Sequence, residues 1–86
     1  MRMRNDAPIV RIELTQAPNG RWEGVVLCHH GNIDPEEYVT WRVACDDDML
    51  LDAAWGNYIV GLSEANEDFN RRSKGFVRPI RDMSNT

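Results

Sequence analysis

Hydrophobic and polar positions alternate along the first half of the chain and change period in the second. From Ile9 onward, Val10, Ile12 and Leu14 fall on one side and Arg11, Glu13 and Thr15 on the other, the period of a half-buried strand. Pro18-Asn19-Gly20 follows as a turn. A two-residue Asn-Gly hairpin would need the N–H of residue 18 in the ladder, and proline has none. A three-residue loop with Gly20 left-handed fits instead, and it pairs Leu14 with Gly24 and Ile12 with Val26. The second strand, Trp22 to about His30, is apolar on both faces: Trp22, Val26 and Cys28 on one, Val25 and Leu27 on the other. Such a strand is central, or its second face meets a partner. Asp34-Pro35-Glu36-Glu37 reads as a cap and one helical turn. A third strand, about Tyr38 to Cys45, alternates Val39, Trp41, Val43 and Cys45 against Thr40, Arg42 and Ala44.

The period then changes. Leu51, Trp55, Tyr58, Leu62, Ala65 and Phe69 recur at steps of four and three, the spacing of one helix face. Asp46-Asp47-Asp48 precede them and Arg71, Arg72, Lys74 and Gly75 close the segment, matching charge to the helix dipole and glycine to the C-terminal cap. The pattern predicts one long helix over 46–75. Gly56 and Gly61 lie inside it, each costing about 1 kcal/mol relative to alanine. They allow close approach to a sheet or a slight bend, or else they break the segment into two helices. An unbroken helix from Asp47 to Arg72 is about 39 Å long, whereas eight-residue strands span about 27 Å. Its last turns therefore overhang the sheet, and Phe69 needs a partner from Phe76, Val77 or Ile80. The predicted fold is α+β: a three-stranded antiparallel meander followed by one long helix packed on one face, in the order β-β-β-α. The chain forms a single domain over 1–86, with residues 1–7 and 81–86 loose.

Length and composition narrow the setting. Eighty-six residues with 42% hydrophobic content support one small core. No apolar run approaches the roughly 18 residues of a membrane span, and Met1-Arg2-Met3-Arg4-Asn5-Asp6 lacks the apolar core of a signal peptide. A cytoplasmic protein is expected. The net charge of −4 is unevenly spread. Residues 34–68 hold ten acids against Arg42 alone, for −9, and residues 69–86 carry five bases against Asp82, for +4. An acidic body is repelled by nucleic acid and attracted to basic protein surfaces.

Candidate chemistry is sparse. Cys28, His29, His30 and Cys45 are the soft-ligand set, but no C-x-x-C or H-x-x-x-H spacing accompanies them, so no metal or cofactor is expected. A disulfide between the cysteines and a Cys/His nucleophilic pair are the other uses of these residues, and buried free thiols account for them more simply. No catalytic motif stands out, and the chain is not expected to be an enzyme. The basic block Arg71, Arg72, Lys74, Arg78 and Arg81 is in part ordinary helix-end electrostatics. The partner-binding set is taken as Asp34, Glu36, Glu37, Asp46, Asp47, Asp48 and Asp52, with Trp22 as the tryptophan expected at the surface.

The order strand, Asn-Gly turn, Gly-bearing strand, third strand and helix resembles the partial RNase H-type domain of HicB antitoxins over roughly residues 9–65. That resemblance implies a small protein partner. A single small acidic α+β domain without an enzyme signature is also similar in type to phage and mobile-element inhibitors, including anti-CRISPR proteins. This likeness implies a phage-encoded protein in host cytoplasm that covers a basic, nucleic-acid-binding surface of a defence complex such as a CRISPR effector. A homodimer through the doubly apolar second strand is the other association the pattern allows.

Overall fold

In a computed structural model the described residues are 1–30, 37–45 and 48–77. They form β1 (Arg2–Met3), β2 (Ile9–Gln16), β3 (Trp22–His29), β4 (Glu37–Cys45), β5 (Leu50–Val60) and α1 (Leu62–Val77). The sheet order is β1-β5-β4-β3-β2, with β1 parallel to β5 and every other pair antiparallel. The three-stranded meander is therefore corrected to a five-stranded mixed sheet, curled as a half-barrel, with one C-terminal helix.

The first hairpin forms as its turn residues dictate. Leu14 faces Gly24 and Ile12 faces Val26. The Ala17 N–H donates to the Arg21 carbonyl at 2.7 Å and the Gly20 N–H to the Ala17 carbonyl at 2.8 Å, enclosing a three-residue loop with Gly20 at φ +90°. Asn19 Oδ1 accepts from the Arg21 N–H at 2.9 Å, an Asx-type contact that helps hold the turn.

The largest correction concerns the long helix over 46–75. Leu50–Val60 is an eleven-residue strand, and only Leu62–Val77 is helical. Gly61, at φ +97°, makes the break, and its carbonyl accepts the first helical bond from the Ala65 N–H at 3.1 Å. A bulge explains why β5 lacks the alternation of a strand. Thr40 faces Asn57 and Arg42 faces Ala54, so Trp41 alone opposes both Trp55 and Gly56. The extra residue flips the side-chain phase. Leu51 and Ala53 lie on one face before the bulge, and Tyr58 and Val60 share that face after it. Odd positions give way to even ones, and the sequence acquires a step of seven that a helix also satisfies.

The shortened helix spans about 24 Å and does not overhang the sheet. Ala65 and Phe69 are buried beneath it with Val25, Leu27 and Tyr38, so Phe69 needs no partner from the C-terminal segment. The Arg11 guanidinium lies over the Phe69 ring at 4.4 Å and donates to Asn66 Oδ1 at 2.9 Å, which fastens β2 to the helix flank. The opposite sheet face buries Met3, Val26, Cys28, Val39, Val43, Cys45 and Leu51. Strand β3 is thus apolar on both sides because both sides are interior.

Residues 1–7, expected to be a loose arm, hold the sheet's edge. Arg2 and Met3 pair with Leu50 and Leu51, and Met3 is buried. Only Arg4–Pro8 separates β1 on one edge from β2 on the other, and the Asp6 N–H turns back to the Met3 carbonyl at 3.0 Å. With that turn taken, the two residues left before β2, Ala7 and Pro8, cannot cross a flat sheet of four inter-strand spacings, about 19 Å wide, so the sheet curls. Among the described residues no helix is long and apolar enough to cross a membrane. The expected turn at 34–37 and the tail at 81–86 lie wholly or mostly outside the described residues.

Candidate functional site

Beyond Leu51, β5 has no strand on its outer side among the described residues. Along this edge Trp55 is 75% exposed, Tyr58 60% and Val60 52%, and Leu62 follows at 44%. Their exposure contradicts the inward helical face predicted for Trp55, Tyr58 and Leu62. Trp22, the tryptophan expected at the surface, is 36% exposed, and Trp55 is more exposed still.

The bulge shapes this edge. Trp55 adopts φ +58°, a left-handed conformation unusual for an aromatic residue. The Arg72 guanidinium, from α1, fills the gap the bulge opens: it donates to the Thr40 carbonyl at 2.8 Å, to Thr40 Oγ1 at 3.0 Å and to the Trp55 carbonyl at 2.6 Å. Thr40 Oγ1 in turn donates to Asp68 Oδ2 at 2.6 Å, joined there by the Asn57 side-chain amide at 3.2 Å, while Arg71 donates to Asp68 Oδ1 at 2.8 Å. Burial would raise the Asp68 pKa, but the Thr40 and Asn57 hydrogen bonds and the two arginine charges outweigh it and hold the carboxyl below its usual range. Burial lowers the Arg72 pKa, with Asp68 partly offsetting it.

On the other side of the bulge lies an aromatic ledge. Tyr58, opposite Val39, meets Trp41 edge-to-face at 6.4 Å between centroids. It also meets His30, one residue past β3, at 4.9 Å. The His30 and Tyr58 rings meet although two strand spacings, about 9.6 Å, separate β3 from β5; the curl of the sheet brings them together. Gly56 lets the Trp41 indole close onto the strand. A Cβ there would stand 2.6 Å from Trp41 Nε1 and 2.9 Å from Trp41 Cδ1, so only glycine leaves room for the indole edge. Trp41 Nε1 and the Tyr58 hydroxyl have no hydrogen-bond partner among the described residues. The His30 N–H donates to the Glu37 carbonyl at 2.8 Å, and Glu37 faces Val60, so an exposed carboxylate stands at the end of the ledge.

The acidic set divides. Arg4 donates to Asp52 at 2.5 Å and to Asp48 at 2.8 Å, and these contacts raise the Arg4 pKa. The Arg4 hydrogen bond and the Leu50 N–H lower that of Asp48. Asp48 and Asp52 therefore tie β1 to β5, while Glu37 sits on the ledge. Asp34, Glu36, Asp46 and Asp47 lie outside the described residues. In the basic block, Arg71 and Arg72 are engaged by Asp68 and the bulge, and Arg78 and Arg81 are outside the described residues.

The soft ligands do not converge. Cys28 faces Val39, and Cys45 lies six residues farther along β4, about 20 Å away, with both thiols buried and neither in a disulfide. Burial pushes the Cys28 thiol up to about 11, which keeps it protonated. His29 stacks edge-on with Tyr38, on the opposite face from His30. Among the described residues no three His, Cys, Asp or Glu side chains are grouped to hold a metal. No family model matches the sequence, and comparison with curated proteins and with solved structures finds no match.

Proposed function

We propose that this chain is a non-catalytic protein-binding module whose contact surface is the β5 edge and its aromatic ledge, and that it engages a basic segment of another protein. The observation that carries this reading is the line Trp55, Tyr58, Val60 and Leu62, each between 44% and 75% exposed, along one strand and into the start of α1. Contiguous apolar surface rimmed by polar residues marks interaction sites, and exposed Trp and Tyr are the residue types that dominate binding energy. The net charge of −4 and Glu37 beside the ledge favour a cationic partner. The inhibitory role of small acidic proteins follows from the same surface when the covered segment is one its owner needs for nucleic acid.

A photo-crosslinking residue placed at 55, 58 or 13 and expressed in bacterial cells tests this. One partner protein is expected from 55 and 58 and none from 13, on the distant edge strand β2. Adducts that appear equally from all three positions, or from none, overturn the reading.

A further inference from the structure

We infer that the ledge formed by Trp41, Gly56, Tyr58 and His30 binds a proline-rich segment in the polyproline-II conformation, with a basic side chain of that segment meeting Glu37. This rests on the protein-binding reading above and names the chemistry of what is bound.

The shape of β5 selects among occupants. An added β-strand needs a regular row of backbone donors and acceptors, and the Trp55–Gly56 bulge interrupts that row midway along the open edge. The same interruption opposes a dimer built by pairing two β5 strands. What the ledge offers is side chains: ring faces from Tyr58 and His30, and two hydrogen-bonding groups with no partner among the described residues, the Trp41 indole N–H and the Tyr58 hydroxyl. A ligand that matches must bring apolar rings and unpaired carbonyls together. A polyproline-II helix has no internal hydrogen bonds, so its carbonyls remain available, and proline packs on aromatic surfaces at little further cost in entropy.

Gly56 seats the donor. It is exposed, it does not have positive φ, and a Cβ there would press on the indole N–H edge at 2.6 Å. Room for the Trp41 indole against the strand, and not backbone geometry, is what this glycine provides. Glu37 lies on the same face as Tyr58, two pairs farther along β4, and so stands past the end of the ring row. A carboxylate there matches an arginine or lysine flanking the prolines.

The test uses a synthetic peptide of six prolines followed by Arg-Arg, a second peptide with two citrullines in place of the arginines, and a third with glycine in place of proline. Binding is read on the full chain from the Trp41 indole ¹H–¹⁵N signal and from tryptophan fluorescence. The first peptide is expected to shift the Trp41 indole signal selectively. The glycine peptide should bind at least tenfold more weakly, and the citrulline peptide should lose affinity only while Glu37 is present. Gly56→Ala and Tyr58→Ala should each weaken binding at least tenfold, and Tyr58→Ala serves if Gly56→Ala does not fold. Equal binding of the proline and glycine peptides, unchanged affinity in Tyr58→Ala, or a silent Trp41 signal overturns the inference. Crosslinks from 55 and 58 that persist in that case leave the protein-binding reading standing, whereas loss of both removes it as well.

Discussion

Replacing Arg72 with alanine should destabilise the fold by about 3 kcal/mol, because one guanidinium closes the β5 bulge from inside. Three bonds are lost. The Thr40 carbonyl belongs to a fully buried residue, where water cannot replace the lost charged donor, and a hydrogen bond from a charged group contributes roughly 1.5–3 kcal/mol. The Trp55 carbonyl lies at an exposed position where water can replace the donor, so its loss adds only about 0.5 kcal/mol. The remainder comes from Thr40 Oγ1 and from Asp68, which loses a nearby cation but keeps Arg71, Thr40 and Asn57. Arg72→Lys should lose about half as much, since one ammonium cannot imitate a planar fork reaching two carbonyls. Urea unfolding followed by tryptophan fluorescence measures the change. For a domain of this size the alanine variant should melt roughly 12–24 °C lower. Native-state amide exchange should accelerate across residues 53–60 and α1 more than across the β2–β3 hairpin. An Arg72→Ala variant within about 0.5 kcal/mol of the parent, or uniform acceleration, would refute the bridging role.

Asp68→Asn should remove a pH-dependent part of the stability. Because the folded carboxyl titrates below its unfolded value, its contribution is fully present above about pH 4 and is lost as pH falls through the lower folded pKa; the parent's acid-unfolding curve should therefore be steeper there than the variant's. Ser73 has a buried Oγ without a partner among the described residues, so Ser73→Ala should stabilise by about 0.5–1 kcal/mol in urea. Gly61→Ala forces a side chain onto φ +97° at the strand-to-helix break and should cost about 1–2 kcal/mol. Trp55→Gly should relieve left-handed strain and raise the melting temperature while weakening partner capture, a combination that thermal melts and crosslinking read separately.

The sequence legibly encoded whatever depends on neighbouring residues. Pro18 lacks the N–H a two-residue turn needs and Gly20 tolerates positive φ, and from those two facts the loop and the register of two strands follow. The two apolar faces of β3 likewise announced an interior strand, and Ala65 and Phe69 correctly marked the buried side of α1. The misplaced long helix has one cause. Trp55 and Gly56 oppose a single residue, so apolar positions in β5 change parity halfway and imitate helical spacing. A bulge is defined by its partner strand, and no local pattern in Leu50–Val60 reveals it. The same change of parity hides the site, because helical spacing buries Trp55 and Tyr58 and gives Gly56 to helix packing. Gly61 beside two aromatics and Ile59-Val60 was the available signal, since β-branched and aromatic residues before a glycine favour a strand that ends there.

The distribution of Trp55 and Gly56 across the bulge bears on why this edge exists. A left-handed residue is best supplied by glycine, yet the chain places tryptophan at φ +58° and glycine next to it at an ordinary φ. Exchanging the two identities would relieve the backbone, but it would also put a side chain over the Trp41 indole, which the Gly56 position cannot accommodate. Trp55 recovers little of its strain through burial, being 75% exposed, and its carbonyl contributes to the Arg72 bridge without needing an indole attached. Folding stability therefore accounts for the Trp55 backbone and leaves its side chain unexplained. A contact surface accounts for both residues: Gly56 seats the Trp41 indole, Trp55 presents a large ring beside it, and the bulge the two form stops the open edge from pairing with strands indiscriminately.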